Sequence, residues 1–543
     1  MNLEIILSMA GGLGLFLFGM RVMSESIEKV AGAKLRQILE QLTTNRFTGI
    51  LVGVVFTAII QSSSACTVMV VSFVNSGLMN LYQAAGVIFG ANIGTTVTSL
   101  LVSFKLEKIA PVILLLGVIV VMFCKKQKIT KFGEIIIGFG ILFMGLSTMS
   151  GAMSGMKDSP TVIHMFASLQ QPVLAVLLGA VLTAIIQSSS VTVSIMVLMA
   201  NQGLLGLDMC MFIILGCNIG ACTSALLASL TGKKDAKRAA SIHLIFNVIG
   251  TIIVYIIFMA CVHQVVGVLS DIAHQDAGRV VAYAHIAIKL FQVVVMAPFI
   301  GAIVKMTYVL VPGSDKKIGY RDSHQLKYIG EKVVFNPATA IVEVIKELDR
   351  MASLAGENLN RAMNALITLD EEEIAEVYDV EENIDFLSHA ITDYLVKINQ
   401  TTLPIEDLKS IGALFHVVND IERIGDHAEN IADAAKRRNE TGVSFSKDAQ
   451  TEMGIMLDMV NTLLRFSLEM FVKSSEEHQE DISHLEEAID EKEKELQQKH
   501  LERLTNNECT PEAGVLFSDI ISGLERVADH ATNIAFATAL TDT

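Results

Sequence analysis

Charged residues are missing from two long stretches of this 543-residue chain. None occurs between Arg46 and Lys105, and none occurs between Asp158 and Asp208. About 20 apolar residues suffice to cross a bilayer, and charged side chains are costly at its centre. Stretches of this length without charge therefore exclude an ordinary water-soluble protein and predict membrane-embedded helices.

Cysteine is also sparse, with seven residues and no Cys-x-x-Cys pair. Most of these cysteines lie in apolar segments, which argues against a disulfide framework or a zinc site and indicates small packing residues. The first apolar segment lacks a preceding basic region and a convincing small-residue cleavage site. We therefore interpret it as a retained span rather than a signal peptide.

The sign of the charge changes along the chain. Residues 1–312 carry a net charge of +8, whereas residues 313–543 carry −24. This break predicts a membrane domain over 1–312, a polar linker over 313–335 and an acidic helical domain over 336–543.

One octapeptide, Thr-Ala-Ile-Ile-Gln-Ser-Ser-Ser, occurs twice, at Thr57–Ser64 and Thr183–Ser190. The same offset of 126 residues relates Gly-Ala-Asn-Ile-Gly at 90–94 to Gly-Cys-Asn-Ile-Gly at 216–220. A gap-free repeat within apolar sequence predicts two copies of one membrane-embedded unit. The predicted segments are repeat one at about 3–124, repeat two at about 129–261 and an extra span at about 283–311.

Each copy contains an apolar run that is too long for one span. The run from Gly49 to Met79 would form a helix about 46 Å long, against a hydrocarbon core of about 30 Å. Its centre is Gln61–Ser64, and the run from Pro172 to Leu204 has Gln187–Ser190 at its centre. We therefore predict two re-entrant helical hairpins whose serine-rich tips lie near mid-membrane, buried in protein or lining a cavity.

The remaining apolar segments predict full spans, and their number predicts the topology. Each repeat has three spans before its counterpart begins, so the second copy is expected to be inverted. The loops 21–48, 124–132 and 231–241 carry 13 Lys and Arg residues, and the loops of the other side carry 4. By the positive-inside rule, the amino terminus lies outside, the acidic domain lies in the cytoplasm, and the hairpins enter from opposite faces. The predicted spans are about 3–20, 82–104, 109–124, 133–150, 207–230, 242–261 and 283–311.

The polar residues at mid-membrane are Gln, Ser, Thr and Asn, with essentially no carboxylate or cation. Glycines flank Asn92 and Asn218, which predicts locally unwound helix with available carbonyl groups. Helix N-termini at the hairpin tips suit an anion, and the hydroxyl and amide oxygens suit a hard cation such as Na⁺. A divalent anion held without Lys or Arg needs compensating charge, so co-bound Na⁺ and obligatory cotransport are expected.

The serines of the two motifs have two other possible roles, in helix packing and as nucleophiles. Serine and glycine commonly serve as small residues in membrane helix packing. Each Gln-Ser-Ser-Ser is followed, 26 residues after its last serine, by Gly-x-Asn-Ile-Gly, and this duplication favours a binding site. A serine nucleophile has little support, because no His or Lys occupies a matching position in both repeats. We therefore expect no enzymatic activity.

The duplicated Gln-Ser-Ser-Ser with Gly-x-Asn-Ile-Gly resembles the type II sodium–phosphate cotransporter family in its bacterial form. The resemblance implies a multi-pass protein of the bacterial cytoplasmic membrane that binds inorganic phosphate and sodium ions within the lipid bilayer, with no nucleic-acid partner. Which serine contacts which ion, and whether the chain forms a homo-oligomer, are left open. The implied phosphate-binding residues are Gln61, Ser62, Ser63, Ser64, Gln187, Ser188, Ser189 and Ser190. The implied sodium-binding residues are Gln61, Ser64, Asn92, Thr95, Gln187, Ser190 and Asn218.

The late membrane segment departs from this family at one position. His243 to Asn247 matches the family pattern His-x-x-Phe-Asn, but the later copy has His285 followed by Ile288 and Lys289. A lysine within an apolar helix is by default functional or paired, and snorkelling to the interface is an equal alternative. Lys289 could offset anion charge and alter the number of sodium ions. For both histidines we favour helix packing.

The acidic domain contains a second repeat. Residues 421–432 match 524–535, and residues 380–385 match 485–490, which predicts an antiparallel bundle of two three-helix units. The pairs Glu422/Asp426 and Glu525/Asp529 have i,i+4 spacing, so each pair shares a helix face and could bind a metal or form a solvated acidic face. The pattern Glu-Arg-x-x-Asp-His-x-x-Asn resembles PhoU, which implies a divalent or iron-group metal and regulation by phosphate status.

The sequence therefore predicts an all-α, polytopic membrane protein with two inverted repeats, each containing a re-entrant hairpin, and a cytoplasmic PhoU-like bundle. The predicted function is sodium-coupled secondary transport of inorganic phosphate, regulated by the bundle. Two alternatives remain: a membrane-anchored phosphate sensor without transport, and a phosphate efflux carrier. Sequence does not decide flux direction, because a coupled carrier runs either way with its gradients.

Overall fold

A computed structural model describes residues 3–43, 45–156, 171–230, 232–313, 324–329, 337–400 and 405–537. The described residues are helical almost throughout and include no β-strand, so the all-α prediction is confirmed. The chain divides into two compact units, one reaching to Lys316 and the other comprising most of the chain from Ala340 onward.

The first unit contains fourteen α-helices among its described residues. Two one-turn 3₁₀ helices, Leu106–Lys108 and Ala297–Phe299, lie between them. The α-helices are α1 (Leu3–Leu42), α2 (Arg46–Ile60), α3 (Ser63–Asn75), α4 (Leu81–Gly94), α5 (Thr96–Ser103), α6 (Ala110–Phe123), α7 (Gln127–Met156), α8 (Pro172–Ile186), α9 (Ser189–Asn201), α10 (Leu207–Gly220), α11 (Cys222–Ser229), α12 (Lys234–Ile272), α13 (Ala277–Met296) and α14 (Ile300–Leu310).

The helices follow the internal repeat of the sequence. Helices α2 to α5 correspond to α8 to α11, and every start and end is displaced by 126 residues. Helices α2 and α3 form one hairpin, and α8 and α9 form the other. Their arms of 13 to 15 residues are about 20–23 Å long, which is too short to cross a hydrocarbon core of about 30 Å. The two predicted hairpins are therefore confirmed as pairs of short helices.

Six helical stretches among the described residues are long and apolar enough to cross a membrane. They include every predicted full span except 109–124, which forms helix α6. That helix has only 14 residues and is about 21 Å long. The six stretches are Leu3–Ala31, Leu81–Ser103, Lys128–Gly155, Leu207–Ser229, Lys234–Ile272 and Ala277–Leu310.

The glycines of the Gly-x-Asn-Ile-Gly motif hold pairs of helices close together. A Cβ atom at Gly90 on α4 would lie 2.0 Å from the carbonyl oxygen of Ile50 on α2. A Cβ atom at Gly216 on α10 would lie 1.9 Å from the carbonyl oxygen of Val176 on α8. Only glycine permits these approaches, so the first arm of each hairpin packs backbone to backbone against the helix that follows the hairpin.

The motifs interrupt the helix in both repeats, as predicted, since α4 ends at Gly94 and α10 ends at Gly220, but the break is a single residue and not an unwound stretch. The residue between α4 and α5, Thr95, has φ −62° and ψ −21°, and its N–H still bonds the carbonyl of Ala91 at 3.1 Å. Its counterpart Ala221 has φ −63° and ψ −20° and bonds Cys217 at 3.0 Å. Both residues keep right-handed helical geometry. The glycines of the motif allow close helix packing, and none of them has a positive φ.

The second unit is a bundle of six helices within its described residues. The predicted bundle of two three-helix units is confirmed, because α15 to α17 are followed by α18 to α20 in the same order. The repeated segments 421–432 and 524–535 lie on α17 and α20, which pack against each other, and the segments 380–385 and 485–490 lie on α16 and α19. The helices are α15 (Pro337–Thr368), α16 (Glu371–Asn399), α17 (Ile405–Thr441), α18 (Lys447–Lys473), α19 (Gln479–Thr505) and α20 (Pro511–Phe536).

Candidate functional site

Each hairpin of the membrane unit turns at a glutamine in the left-handed conformation. The φ angle is 60° at Gln61 and 58° at Gln187. Residues other than glycine seldom adopt this conformation, and such strain is concentrated at functional sites. The next residues, Ser62 and Ser188, are N-caps whose hydroxyls accept the backbone N–H three residues ahead. Two residues thus end one arm and begin the next.

The tips of both hairpins line one cavity of about 250 Å³. All eight residues predicted to bind phosphate border it, and helix α1 contributes the other wall. A volume of this size holds several groups as large as water, each of about 30 Å³. The lining residues are Leu17, Met20, Arg21, Ser24, Glu25, Gln61, Ser62, Ser63, Ser64, Gln187, Ser188, Ser189, Ser190 and Val191.

A chain of hydroxyl groups connects the two hairpins. The Oγ of Ser63 lies 3.1 Å from Oγ1 of Thr95, which in turn lies 3.1 Å from Oγ of Ser190. The hydroxyl of Ser64 donates to the carbonyl of Gln187 at 3.3 Å. Three predicted sodium residues, Ser64, Thr95 and Ser190, therefore lie within this network between the repeats.

Two helix N-termini also end at the cavity. Helix α3 begins at Ser63 and helix α9 at Ser189, and both residues line the cavity. The first N–H groups of a helix have no partner within the helix, and its N-terminal end carries a positive partial charge. Two such ends from different repeats make the cavity suited to an anion.

Sequence reasoning missed a charged pair at this cavity. Arg21 and Glu25 of α1 border it, and Nε of Arg21 lies 2.6 Å from Oε1 of Glu25. The prediction of a site without cation or carboxylate is therefore wrong, although the pair is neutral as a whole. Arg21 follows an apolar run and was assigned to a loop, but α1 continues through it to Leu42. The helical spacing of Arg21 and Glu25 was the available signal.

The predicted sodium residues Asn92 and Asn218 lie outside the lining of this cavity. The Oδ1 of Asn92 accepts a hydrogen bond from Nζ of Lys289 at 2.6 Å, and Oδ1 of Asn247 accepts one at 3.1 Å. The amide of Asn218 donates to Oε1 of Gln292 at 3.4 Å. The Oδ1 of Asn218 is buried and has no hydrogen-bond partner among the described residues. The side-chain oxygen of Asn92 therefore accepts a hydrogen bond from a lysine, whereas that of Asn218 accepts none among the described residues.

Lys289 does not snorkel to an interface. Its side chain is 1% exposed and lies between α4 and α12. One turn earlier, Nδ1 of His285 lies 3.0 Å from the hydroxyl of Ser99. The counterpart of Ser99 in the second repeat is Ala225, and Nδ1 of His243 has no partner among the described residues. Both histidines are buried, as expected for packing residues.

The second unit brings one predicted metal residue into a cluster. Carboxylate oxygens of Glu486, Asp490 and Asp529 lie within 4.8 Å of one another. The first two residues come from α19, in the segment that sequence matching aligned but did not assign to a site. The pKa of Glu525, one turn before Asp529, is raised to about 6 by partial burial and by the neighbouring carboxylates. The i,i+4 pair is thus part of a larger acidic face built from two helices.

The first three-helix unit has a matching acidic face. Burial raises the pKa of Glu381 on α16 to about 7, and the nearby carboxylates, with Glu429 the strongest, add to the effect. The pKa values of Glu422 and Asp426 on α17 are also raised, chiefly by burial and then by neighbouring carboxylates. Crowded carboxylates of this kind are relieved by a proton or by a bound cation.

Comparison with known proteins identifies both units. The Na⁺/Pi-cotransporter family model matches residues 15–151 and 159–281, and the PhoU domain model matches residues 348–435 and 453–538. The protein YqeW of Bacillus subtilis, described as uncharacterized, is 30% identical over 311 residues, which are 57% of this chain and 99% of that protein. The chain belongs to the Na⁺/Pi-cotransporter family. The resemblance inferred from the sequence motifs is confirmed.

Two further relatives cover different parts of this family member. The "Putative inorganic phosphate export protein YjbB" of Escherichia coli is 23% identical over 474 residues, which are 86% of this chain and 84% of that protein. The "Sodium-dependent phosphate transport protein 2A" of Rattus norvegicus is 36% identical over 97 residues, which are 18% of this chain and 15% of that protein. The chain is thus a membrane protein of a transporter family with a PhoU domain, and not an enzyme.

Proposed function

We propose that this chain is a sodium-coupled secondary transporter of inorganic phosphate. Both hairpin tips, one from each repeat, meet at a single polar cavity, and this meeting is the observation that carries the proposal. A carrier whose repeats contribute equally to one site can expose that site to each side in turn. The name of the rat relative adds support, because it describes a sodium-dependent phosphate transport protein.

Phosphate binds at the tips in this proposal. The N-termini of α3 and α9 and the serine hydroxyls donate hydrogen bonds to its oxygens, and the amides of Gln61 and Gln187 bring further donors. Arg21 borders the same cavity, and only its Nε bonds Glu25 among the described contacts, so the guanidinium has other N–H groups to offer. The proposed phosphate residues are Gln61, Ser62, Ser63, Ser64, Gln187, Ser188, Ser189 and Ser190.

Sodium ions bind oxygen ligands beside the phosphate. Hydroxyl and amide oxygens suit a hard cation, and a sodium ion near a phosphate reduces the cost of holding the anion away from water. The link through Thr95 couples the two hairpins, so an ion bound there favours the geometry that phosphate needs. The proposed sodium residues at the hairpin tips and their link are Gln61, Ser64, Thr95, Gln187 and Ser190. Asn218 and Asn92 are proposed as sodium residues outside the cavity lining; the Oδ1 of Asn218 has no hydrogen-bond partner among the described residues, and that of Asn92 already accepts a hydrogen bond from Lys289.

The membrane topology is part of the proposal. The excess of Lys and Arg in the segments 21–48, 124–132 and 231–241 favours a cytoplasmic location for these segments, although the first of them is mostly the second half of helix α1. The amino terminus is then outside, the PhoU domain lies in the cytoplasm of a bacterial cell, and the hairpins enter the bilayer from opposite faces. The proposed domains are the transport domain 1–312, the linker 313–335 and the PhoU domain 336–543.

Labelled phosphate flux into proteoliposomes tests the sodium coupling. An inward Na⁺ gradient should drive phosphate uptake by the purified full chain, and an equal K⁺ or choline gradient should not. Equal uptake with all three cations would refute the coupling. Absence of uptake with every cation would refute transport and would favour a membrane-anchored phosphate sensor.

Phosphate export is the second candidate for the direction of flux. It is favoured by the name of the Escherichia coli relative, which matches 86% of this chain. The same proteoliposomes decide it when they are loaded with labelled phosphate and the Na⁺ gradient is reversed. Efflux that exceeds uptake under mirrored gradients would favour an exporter.

The PhoU domain is proposed to regulate the carrier and to bind a divalent or iron-group metal. The acidic faces of its two units offer carboxylate clusters that a metal ion would neutralise. Elemental analysis of the purified chain should find the metal in the wild type, and Asp426→Ala combined with Asp529→Ala should remove it. A metal-free wild type would make these carboxylates a solvated acidic face. The proposed ligands are Glu422, Asp426, Glu525 and Asp529, with Glu486 and Asp490 beside the last.

A further inference from the structure

Lys289 is a buried cation, and the helices whose side chains it contacts have no acidic residue near it. It lies on α13, and its Nζ contacts side chains of α4 and α12. Helices α4 and α13 contain no Asp or Glu, and α12 has them only near its two ends, at Asp235 and Asp271. A buried ammonium normally pairs with a carboxylate, because leaving its charge uncompensated is costly. Here its contacts are two neutral amide oxygens.

Those two oxygens are held in place by the other half of each amide. The Nδ2 of Asn92 donates to the carbonyl of Ile88 at 2.9 Å, and Nδ2 of Asn247 donates to the carbonyl of His243 at 3.0 Å. Each bond reaches back one turn of the same helix, so both Oδ1 atoms face Lys289. Converging amide oxygens of this kind are ligands that Na⁺ and other hard cations prefer.

The internal symmetry pairs Lys289 with Asn247. Helix α12 packs against α3 and α11, and helix α13 packs against their repeat counterparts, α9 and α5. The two helices are therefore counterparts, and each carries a histidine four residues before the position in question: His243 before Asn247, and His285 before Lys289. An amide in one copy is an ammonium in the other.

The second repeat keeps the corresponding amide oxygen without a cation. Asn218 is the counterpart of Asn92, and its Oδ1 is buried without a hydrogen-bond partner among the described residues. Its amide contacts Gln292, whose side chain fits against α12 because a Cβ atom at Gly250 would lie 2.9 Å from Nε2. One repeat thus has its oxygen bound to a protein cation, and the other has its oxygen open.

We propose that the Lys289 ammonium is a built-in cation that occupies, between Asn92 and Asn247, a position that a sodium ion fills when residue 289 is an amide. The carrier then moves phosphate with one sodium ion fewer than its Lys289→Asn variant. This inference deepens the proposed function and rests on it for the transport readout. The tethered charge travels with the protein and not with the substrate, so it neutralises phosphate without being transported.

The test compares the wild type with Lys289→Asn in two measurements. In proteoliposomes, the ratio of labelled Na⁺ to labelled phosphate moved should rise by about one in the variant. In detergent without phosphate, Na⁺ should raise the Tm of the variant more than that of the wild type, relative to choline, because a ligand bound only by the folded state stabilises it. Lys305→Asn, an exposed lysine on α14, is the matched control and should change neither readout.

Two further variants keep the test decisive. Lys289→Met offers no cation and no oxygen ligand, so it should show no additional sodium stabilisation. Lys289→Gln is a second amide variant to be used if Lys289→Asn does not fold. A folded amide variant with the wild-type ratio and the wild-type response of Tm to Na⁺ would overturn the inference. If the wild type transports no phosphate, the proposed function fails, and the Tm comparison still decides the role of Lys289.

Discussion

Replacing Thr95 with valine should weaken substrate binding without unfolding the protein. The two side chains have nearly the same shape, so the variant removes one hydroxyl and leaves the packing intact. That hydroxyl is the link between the hairpins, because it lies 3.1 Å from both Ser63 and Ser190. One hydrogen bond contributes about 1 kcal/mol net to stability, so the loss of two destabilises the state in which the hairpins are linked by about 2 kcal/mol.

The corresponding change in affinity is about thirtyfold, since 1.36 kcal/mol corresponds to a factor of ten. We expect the KM for phosphate, and the Na⁺ concentration that gives half-maximal flux, to rise by up to this factor in proteoliposomes. Thr148→Val is the matched control, because the hydroxyl of Thr148 bonds only the carbonyl of Met144 in its own helix among the described contacts. An unchanged KM in a folded Thr95→Val protein would refute the proposed role of this link.

Three other perturbations address topology, the acidic faces and the PhoU domain. In a cysteine-free background, a cysteine in place of the exposed Phe47 should be labelled from the cytoplasm, and a cysteine in place of the exposed Val173 should be labelled from outside. Labelling of both cysteines from the same side would contradict inverted hairpins. The pKa of Glu381 is raised to about 7 from 4.5, so the folded state binds its proton more tightly than the unfolded chain. Tm should therefore fall as pH rises from about 4.5 through about 7, and less so in Glu381→Gln than in the exposed control Glu440→Gln; equal curves would rule out this contribution. Deleting the chain from about residue 330 onward should leave transport that no longer responds to internal phosphate; loss of all transport in the folded remainder would show that the PhoU domain belongs to the transport machinery.

The duplicated motif made the membrane architecture predictable. Polar residues at the centre of a long apolar run are unfavourable in lipid, so a hairpin tip was the reasonable place for Gln61–Ser64 and Gln187–Ser190. Because the motifs recur at an offset of 126 residues, the first hairpin predicted the position of the second. The bundle followed in the same way from its own repeat, because two similar segments of helical spacing fold into similar units.

Three details differ from the sequence predictions or lie beyond them, for physical reasons. Glycine permits both positive φ and close approach of two helices, and sequence alone does not distinguish these roles. The glycines therefore predicted unwound helix, whereas Gly90 serves close packing. A helix can carry a charged pair beyond its apolar run, and for this reason Arg21 and Glu25 were assigned to a loop. The contacts of Lys289 with Asn92 and Asn247 join residues that are 197 and 42 positions apart in the sequence, and no local pattern reveals such contacts.

The central claim is that the cavity between the hairpin tips is the phosphate site, and one comparison tests it most directly. Ser63→Ala and Ser189→Ala, each in the full chain, are reconstituted and assayed for Na⁺-driven uptake of labelled phosphate, with Tm as the measure of folding. Both serines begin the second arm of their hairpin and line the cavity. If the cavity binds phosphate, uptake should be strongly reduced in both variants with little change in Tm. Normal uptake by either folded variant would contradict this claim.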